Sequence, residues 1–578
     1  AEGFDFAVPR NSEVFGWTWL ASDSLMNEFR FQRAFSKYEV SSAYTHGSYD
    51  PGDFPQERLD NCDVRFTRPS LNDGSCNDQM GPETRWQFKN DMTLFKPDWG
   101  GNHQFKFGVD YNYVQFAADS FGNGNGRWWF STDLPYDPND PSTFPYQYQD
   151  ALPRYDDVPV HHFSIYFQDD WSPRPGLTMN LGLRYDLQKG TFNEDIQDID
   201  FGIEIPFHEG ADQRGDGNNI GPRIGFAWDL AENGRTVVKG GYGLFYDNIR
   251  TLMNFGERWW NQQQSVIIVN PSYPDPYQGV PREEFVSTAP PNITVLDNAY
   301  ENPYAHHFNV GVSHMLTPEI ALSLDFTRVR SYADRESVNI NYPFEDSGER
   351  PYPQFARVNE GRSKWEHRYQ GFYVKLNKRL SNNYQFLTSY TLSKSEDYGN
   401  RIDDISIYGY SPVWYPAGSD RRHRLVASGI YQAPYGFNLS AIMDFRSGLP
   451  FNIHSGKDLN SDSYGSDLPP GITYNSGRTP NIESINAYRV SQGLPTVTEG
   501  DIANPNFFNL DFRLQKAFLI SGPHQLQFIF QVLNITNRAN FNVPNGNLRS
   551  SGFGVVNQIL PNINAPARQI ELAVRYQF

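Results

Sequence analysis

The last nine residues constrain the fold more than any other feature of the sequence. From Ile570 to Phe578 the side chains alternate without interruption between apolar and polar. Because an extended chain sends successive side chains to opposite faces, this segment predicts a strand with one apolar side and one polar side. A soluble sheet could carry one such strand. The alternation recurs along the whole chain with large aromatics on the apolar side, and this repetition is typical of a barrel with a lipid-facing outer surface.

Six further segments carry the alternation especially clearly. Their apolar positions are Phe105, Phe107, Val109, Tyr111, Tyr113, Leu181, Leu183, Tyr185, Leu322, Leu324, Phe326, Phe372, Val374, Leu376, Phe508, Leu510, Phe512, Leu514, Leu526, Phe528, Phe530 and Val532. Mostly charged and other polar residues fill the positions between them. An Arg or Lys on a lipid-facing surface at mid-membrane costs about 2–4 kcal/mol, so we expect the charges to face a broad, polar interior.

The composition also favours a membrane barrel. Only 38% of the 578 residues are apolar and the mean hydropathy is -0.62, yet aromatic residues make up 15% of the chain. Rings in this proportion suit a membrane boundary and an outer surface. The sequence has no apolar run of the roughly 18 residues that a transmembrane helix needs, so a spanning structure must be a closed barrel. A net charge of -18 argues against a nucleic-acid partner, whose recognition needs clustered cations.

Short and long connections alternate along the chain. Eight short ones, rich in Gly, Pro, Asn and Asp, are predicted to be hairpin turns. They are SDSLMN near Asp23, PDWGGNHQ after Lys96, SPRPG at Ser172, AENGR at Ala231, LTPE at Leu316, SNN at Ser381, APYG at Ala433 and ISGPH at Ile520. The long ones run approximately over 41–83, 118–158, 190–218, 250–302, 331–365, 397–418, 451–501 and 536–565. Tight periplasmic turns and long outer loops are typical of outer-membrane barrels.

Eight hairpins and the terminal strand give seventeen strands. If the last strand runs toward the periplasm, as the turn before Gln525 requires, the segment near Val14 descends from the outer surface and Ala1 lies outside the cell. Bacterial single-chain barrels normally have an even number of strands, so we expect at least one further strand on the N-terminal side. The sequence therefore predicts that residues 1–578 are the C-terminal portion of a larger barrel.

Nine segments carry a resemblance to one family. They are NEFRF from Asn27, HQFKFGVDY from His103, FQDDWSPRPGLTMNLGLRYD from Phe167, IGPRIGFAWD from Ile220, TVVKGGYGLFYD from Thr236, DRRHRLVASGIY from Asp420, SGLPFNI from Ser447, FFNLDFRLQKAF from Phe507 and FQVLNITNRANF from Phe530. In this combination and order they resemble the barrel of the Oar-like TonB-dependent receptors. The resemblance extends from about Asn27 to Phe578, which is nearly the whole chain.

The resemblance implies an all-β protein of the bacterial outer membrane: a large antiparallel transmembrane β-barrel of about 22 strands with long extracellular loops, a size class that carries a plug. It implies TonB-dependent transport of a substrate that the sequence does not identify. Family members also have an N-terminal carboxypeptidase-regulatory-like domain, a TonB-contacting segment and a plug, and we expect these and the first strands to lie outside residues 1–578. The implied partners are outer-membrane lipid and lipopolysaccharide, the barrel-assembly machinery and, through the N-terminal part, the TonB complex.

Other functional classes remain open at this point. A passive porin-like channel fits the same barrel and differs in having no plug. A surface-assembly or adhesion role is suggested only by the length of the loops. An outer-membrane lipase or protease would need a nucleophile and a base together on the outer rim. No Ser/His/acid set stands out among the 12 histidines, so we do not expect an enzyme.

One long loop carries oxygen-bearing side chains at mostly alternate positions, namely Asp458, Asn460, Asp462 and Asp467. This spacing lets a tight loop wrap a hard cation, so it predicts a calcium site, and calcium is the one cofactor that the sequence suggests. The segment resembles the Asp/Asn-rich loop that follows SG-x-PFNI in the family. It departs from an EF-hand because Ser463 stands where glycine makes the turn and no glutamate closes the loop. The alternative is a solvated loop of Asx turns.

Three aromatic pairs in the long loops are candidates for substrate contact. They are Trp128 and Trp129, Trp259 and Trp260, and Trp414 and Tyr415. Such rings could stack on a sugar or close over a peptide. In the alternative interpretation they pack one loop against another or mark the membrane boundary.

Two further features concern folding and assembly. Cys62 and Cys76 are the only cysteines, and both lie in a predicted loop. We predict a disulfide formed in an oxidising compartment, with two free thiols as the alternative. Tyr576 and Phe578, the terminal aromatics, are interpreted as the C-terminal signature for barrel insertion.

Overall fold

The structure is a computed structural model. It describes residues 4–42, 65–68, 79–120, 126–151, 154–250, 256–258, 261, 265–286, 290–343, 347–399, 413–459, 465–556, 558–560 and 566–578. Cys62, Cys76, Trp259, Trp260, Asn460 and Asp462 lie outside the described residues.

Strands dominate the described part of the chain. They are β1 (Phe4–Ala7), β2 (Arg10–Ser22), β3 (Leu25–Ser42), β4 (Arg65–Thr67), β5 (Gln79–Lys96), β6 (Asn102–Ser120), β7 (Arg127–Phe130), β8 (Pro145–Ala151), β9 (Arg154–Arg174), β10 (Leu177–Lys189), β11 (Ile220–Asp229), β12 (Thr236–Tyr246), β13 (Ser265–Val269), β14 (Asn292–Leu296), β15 (Tyr304–Thr317), β16 (Ile320–Asn339), β17 (Arg357–Ser381), β18 (Tyr384–Gly399), β19 (Val413–Pro416), β20 (His423–Ala433), β21 (Phe437–Arg446), β22 (Phe507–Ser521), β23 (His524–Leu533) and β24 (Gln569–Gln577).

Helical structure is sparse and lies in the connections. The α-helix α1 (Ile482–Ser491) begins at Asn481, whose side chain caps it by accepting a hydrogen bond from the Ser484 amide at 3.2 Å. Among the described residues, no helix has the length and apolar character needed to cross a bilayer. The 3-10 turns are Pro141–Thr143, Ile196–Asp198, Pro206–His208, Ala211–Gln213, Arg282–Phe285, Pro434–Gly436, Ser476–Arg478 and Glu499–Asp501.

In the described part of the chain, seventeen long strands form one continuous antiparallel sheet. Their order is β2, β3, β5, β6, β9, β10, β11, β12, β15, β16, β17, β18, β20, β21, β22, β23 and β24. The short strands β1, β14 and β19 extend this sheet. All eight predicted hairpin turns join neighbouring long strands, so the prediction of seventeen strands is confirmed. We call the end of the sheet with these turns the turn end and the opposite end the loop end.

The register keeps apolar residues beside apolar residues across the sheet. Phe372 on β17 is paired with Phe326 on β16 and Leu392 on β18. One residue along, Tyr373 is paired with Asp325 and Thr391. Because directly paired residues share a face, the sheet has an apolar wall, which carries the first set, and a polar wall, which carries the second. The predicted alternation is therefore confirmed.

The apolar wall is uncovered. Phe528, Phe530, Leu572 and Val574 are all exposed, and no second sheet packs on them in the described part of the chain. In water this would be a large apolar surface of the kind that marks a membrane interaction. The arrangement is the reverse of a soluble sandwich, in which these side chains would form the core.

Aromatic and histidine pairs mark two levels on the apolar wall. Toward the loop end, the Tyr111 hydroxyl lies 2.9 Å from Nδ1 of His161. The hydroxyls of Tyr242 and Tyr390 lie 2.7 and 2.8 Å from His306 and His423. Near the turn end, the Tyr576 hydroxyl lies 2.7 Å from His524. Amphipathic rings at two levels form the girdles expected at the two boundaries of an apolar band.

The long connections form a separate loop layer beyond the loop end, which we define as the described residues between successive long strands at that end. Within it, β4, β7, β8 and β13 make a four-stranded sheet of their own. The layer holds most of the buried apolar residues, in three main clusters. These centre on Trp128, Phe130 and Tyr148, on Ile196, Ile293 and Phe355, and on Phe451, Ile453 and Ile485.

Candidate functional site

The polar wall is lined by charges that are matched along and across the strands. Lys106 Nζ lies 2.9 Å from Asp170 on β9, and Lys239 lies 2.9 Å from Asp325 on β16. Elsewhere an amide serves the same purpose, since Gln87 donates to both carboxylate oxygens of Asp110 at 3.0 Å. Such pairs satisfy charged groups on a half-buried surface without an apolar core. The wall therefore offers a hydrated, charged surface along the length of the sheet.

Glycines on the polar wall leave room for tyrosine rings to lie close against the sheet. A Cβ added at Gly108 would meet Cε1 of Tyr166 at 2.2 Å. Because the glycine leaves that space free, the Tyr166 hydroxyl reaches Asp91 on β5 and donates a hydrogen bond of 2.7 Å. At Gly371, the rings of Tyr369 and Tyr373 close over the glycine with their hydroxyls 2.6 Å apart. These contacts brace the wall and keep aromatic bulk close to its surface.

A cavity of about 950 Å³ lies on the polar wall toward the loop end, against β2, β3, β5, β6 and β9. Arg10, Arg85, Glu83 and His162 contribute to its lining. Arg85 and Glu83 form an ion pair of 3.1 Å. The loop residue Arg250 adds a third guanidinium, so the cavity has more cationic than anionic side chains.

One buried side chain holds the loop segment that covers this cavity. Gln188 on β10 donates to the Ile249 carbonyl at 2.7 Å and accepts from the Ile249 amide at 2.9 Å. Its carbonyl oxygen also accepts from Asn302 at 3.0 Å. Because the backbone of Ile249 is held in both directions, Asn248, Ile249 and Arg250 are fixed over the cavity. The polar face of β10 thus connects the wall to the loop layer.

The loop layer is also held by a fully buried ion pair. Arg214 Nη1 lies 2.8 Å from Glu257 Oε2, and both side chains are completely shielded from solvent. The Glu257 carboxylate also accepts from Asn193 at 2.8 Å and from the Leu296 amide at 3.0 Å. A buried charge is tolerated only when its hydrogen-bonding capacity is filled in this way. Glu257 therefore joins segments that are far apart in the sequence.

His208 lies beside this pair, with Nε2 3.6 Å from Glu257 Oε1. Burial, together with a smaller contribution from the neighbouring Arg214 guanidinium, lowers the pKa of His208 to about 4. The nearby carboxylate does not reverse this shift because Arg214 already neutralises it. His208 is consequently neutral at physiological pH, and its protonation in the folded loop layer is unfavourable.

The structure places the four described candidate aromatics in different settings. Trp128 is fully buried between Tyr148 and Tyr273, at ring distances of 4.7 and 4.9 Å. Tyr415 is also buried, and its ring meets Tyr474 at 5.0 Å. These placements favour the loop-packing interpretation for both residues.

Trp129 and Trp414 are half-buried and each is covered by an arginine. The Arg127 guanidinium lies 4.3 Å from the Trp129 ring. The Arg368 guanidinium lies 4.0 Å from the Trp414 ring, which is paired with Tyr398 on the apolar side of β18. Trp414 thus lies at the level of the loop-end girdle, which favours the membrane-boundary interpretation. Substrate contact by the six candidate aromatics stays a prediction.

The predicted calcium loop is only partly described. Asp467 is buried, and its carboxylate accepts from the Leu459 amide at 2.5 Å. Its own carbonyl accepts from the Ser455 amide at 2.7 Å. Within the described residues, no group of three or more His, Cys, Asp or Glu side chains is placed to hold a metal ion. Since Asn460 and Asp462 fall outside those residues, calcium binding and the Cys62–Cys76 disulfide both stay predictions.

The C-terminal aromatics lie at the turn end of the apolar wall. Tyr576 stacks on His524 at 5.8 Å, and Phe578 stacks on Tyr576 at 5.8 Å. Both are exposed on the surface that the girdles delimit. Their role in insertion stays a prediction.

Alternation identified the polar wall, but it did not identify the cavity or the Arg214–Glu257 pair. The partners of that pair are 43 positions apart, with Arg214 in an irregular segment and Glu257 in a short helical one. Neither residue lies in a motif or a periodic pattern that links it to the other. A sequence signal for such a contact would require covariation between the two positions.

The comparisons with known proteins agree with this geometry. Residues 3–571 match the family described as outer membrane beta barrel domain. Among solved structures, the chain resembles the outer membrane transporter YddB from Escherichia coli with a TM-score of 0.57 and 12% identity, covering 99% of this chain and 68% of YddB. No curated protein matches the sequence.

Two receptors show the same likeness. The siderophore receptor PiuA from Acinetobacter baumannii has a TM-score of 0.50 and 10% identity, with 98% of this chain and 64% of PiuA covered. The pyoverdine outer membrane receptor FpvA from Pseudomonas aeruginosa PAO1 has a TM-score of 0.50 and 10% identity, with 99% and 62% covered. At these identities the likeness concerns the fold, a large membrane barrel. The chain spans about two thirds or less of each relative's length, from 62% to 68%.

Proposed function

The chain belongs to the outer membrane beta barrel domain family, whose members lie in the bacterial outer membrane, and from that premise we propose that it forms most of the wall of a plug-gated, TonB-dependent transporter. The observation that carries the proposal is the two-sided sheet of seventeen long strands. Its apolar wall faces lipid and its charged wall lines a passage. A barrel of about 22 strands is wide enough to hold a plug, so passage is gated rather than open.

We further propose that additional strands and a plug complete the barrel. Among the described residues, β2 and β24 are each paired with a long strand along one edge only. An unpaired strand edge in hydrocarbon leaves backbone groups unsatisfied at several kcal/mol each, so both edges need partners. An even strand number and the span of 62–68% of three related structures support strands beyond these seventeen. The TonB-contacting segment would belong to the same additional part.

The cavity on the polar wall and the loop layer above it are the proposed route for the cargo. The loop layer is fixed by its own apolar clusters and by the Arg214–Glu257 pair. A rigid layer of this kind can present a selective surface at the mouth of the barrel. The cavity below it carries Arg10, Arg85 and Arg250 against one carboxylate, Glu83.

The proposed partners follow from the same arrangement. Lipid and lipopolysaccharide would contact the apolar wall between and just beyond its girdles. The barrel-assembly machinery would act on the terminal strand that ends in Tyr576 and Phe578. The TonB complex would act through the additional N-terminal part.

Channel recordings test plug gating directly. The full-length protein, isolated from the outer membrane, is inserted into planar bilayers. We expect no steady conductance until a mild chaotrope unfolds the plug. Open channels without chaotrope would contradict the proposal and support a passive porin.

Cross-linking tests energy coupling. In outer-membrane vesicles, the full-length protein should cross-link to a periplasmic fragment of TonB. A variant that lacks only the proposed TonB-contacting segment provides the control and should not cross-link. Equal cross-linking of both proteins, or of neither, would contradict TonB dependence.

A further inference from the structure

The apolar wall carries an unusual concentration of charge just beyond its apolar band. Directly paired residues at this level include Arg330 with Arg368 and Arg368 with Glu396. Arg328 and Lys394 occupy the next row toward the turn end, both paired with Gln370. We call Arg328, Arg330, Arg368 and Lys394, with Glu366 and Glu396, the basic patch. All six lie at even-numbered positions that continue the apolar row of Phe326, Phe372 and Leu392.

The level of the patch is set by its neighbours. Arg330 is paired with His306, which belongs to the loop-end girdle through its bond to Tyr242. The Arg330 guanidinium lies 4.8 Å from the ring of Tyr332, another aromatic of this region. The patch therefore lies where the outer boundary of the membrane meets the wall.

The outermost charges of the patch are positive. The side chains of Arg330, Arg368 and Lys394 are 38%, 36% and 46% exposed, whereas Glu366 and Glu396 are only 23% and 12% exposed. Glu366 is covered by Arg330 at 2.9 Å. Glu396 is covered by Arg368 at 2.7 Å and by Lys394 at 2.8 Å. Four cations against two shielded carboxylates give a cationic surface on a chain whose net charge is -18.

Two guanidiniums are held side by side although they repel each other. Arg330 and Arg368 face each other across the strand pair, and like charges directly opposite each other destabilise a sheet. The Trp414 ring, 5.7 Å from Arg330 and 4.0 Å from Arg368, orients both groups. Glu366 and Glu396 each offset one of these charges. An anion that bridges the two guanidiniums would offset the remaining repulsion and accept further charge-assisted hydrogen bonds.

We propose that the basic patch binds the phosphate groups of a phosphorylated glycolipid in the outer leaflet. A lipid fits better than a soluble anion because the patch is continuous with the apolar wall, where acyl chains would lie against Phe326 and Phe372. Clustered Lys and Arg at a membrane boundary are a recognisable lipid-headgroup site. This inference deepens the proposed lipopolysaccharide contact by assigning it to named residues.

The test measures lipid binding by the full-length protein in a neutral detergent. Native mass spectrometry follows titration with bisphosphorylated lipid A, with dephosphorylated lipid A and with inorganic phosphate. The main variant is Arg328→Gln combined with Lys394→Gln, which leaves Glu396 paired with Arg368. Arg33→Gln is the matched control, because Arg33 also lies on the apolar wall, near a ring (Trp86, 5.4 Å) and a carboxylate (Glu13, 3.8 Å).

We expect the double variant to bind bisphosphorylated lipid A about tenfold or more weakly, the loss of one charge-assisted contact or more, and the control to change less than about twofold. A second variant, Arg330→Gln with Glu366→Gln, removes one ion pair as a unit and should also weaken binding. Unchanged binding in both variants would overturn the proposal. So would equal binding of dephosphorylated lipid A, or competition by inorganic phosphate at equal concentration. The measurement needs neither cargo nor TonB, so its failure would leave the transport proposal standing.

Discussion

The sheet and the loop layer of this protein bury apolar side chains in opposite ways. In the sheet, Phe528 and Phe372 are exposed on the outer face while Lys106 and Asp325 face the interior. In the loop layer, Trp128 and Ile293 are fully buried as they would be in a soluble domain. The difference shows that one chain is folded for two solvents, with hydrocarbon around the sheet and water around the loops.

The largest expected effect concerns the loop layer. Trp128→Ala removes a fully buried ring from the cluster with Tyr148 and Tyr273, and should destabilise the layer by about 3–5 kcal/mol. Hydrogen exchange of β7 and β8 measures this loss. Trp129→Ala is the control, because Trp129 is only half-buried and should cost much less. Equal effects would mean that the cluster is not a core.

The next effect concerns the sheet. Leu324→Arg places a charge on the apolar wall and should cost about 2–4 kcal/mol, whereas Ser323→Arg points to the polar wall and should cost about 1 kcal/mol or less. Reversible unfolding from lipid vesicles measures both values. If the arginine at position 323 proved the more costly one, the two walls would be assigned the wrong way round.

Acidic pH should lower the stability of the loop layer more than that of the sheet. His208 has an ordinary pKa of 6.5 that folding lowers to about 4. The unfolded loop therefore takes up a proton at higher pH than the folded one, so stability is lost as the pH falls from 6.5 toward 4. At pH 5 this loss is about 2 kcal/mol for the loop layer.

Hydrogen exchange at several pH values, corrected for the intrinsic exchange rate, measures this loss. In His208→Gln the loss between pH 6.5 and pH 5 should shrink by about 1.6 kcal/mol, because part of the loss is already present at pH 6.5. An unchanged pH dependence in that variant would show that His208 is not the responsible group. The strand β22 serves as the internal reference, because it contains no histidine and the contacts of His208 are with Glu257 and Phe201 in the loop layer.

The smallest effect is at the C terminus. Phe578→Ala removes one stacked ring and should lower the stability of the folded barrel by about 1 kcal/mol. If the terminal aromatic guides insertion, the amount of assembled protein should fall much more than this value implies. The amount of folded barrel in outer membranes and the free energy of unfolding are measured for both proteins and compared. Parallel changes would argue against a role in insertion.

The sequence predicted the sheet well because the alternation of apolar and polar residues is a local property of each strand. A shift of one residue in register moves a side chain from the lipid-facing side to the interior side. Each strand therefore has to carry the alternating pattern in its own sequence. This is why Leu510, Phe528 and Tyr576 could be assigned to one wall, and why the eight tight turns were found.

The loop layer was predicted poorly because its contacts are not local. Nothing beside Trp128 in the sequence indicates Tyr273, and nothing beside Arg214 indicates Glu257. Strand lengths were also underestimated at the loop end, where β16 continues to Asn339 and β17 begins at Arg357. These extensions pair with each other outside the apolar band. There neither face of a strand contacts lipid, so apolar and polar residues need not alternate.

Solvent accessibility along β23 tests most directly whether the apolar wall faces hydrocarbon and the polar wall faces water. Spin labels are attached to single cysteines at positions 526 to 531, in a background with Cys62→Ser and Cys76→Ser, and the full-length protein is placed in lipid vesicles. Collisions with oxygen report hydrocarbon and collisions with a water-soluble nickel chelate report water. The expected result is oxygen maxima at Leu526, Phe528 and Phe530, alternating with nickel maxima at Gln527, Ile529 and Gln531. Nickel maxima at the first three positions, or no alternation, would contradict this assignment of the two walls.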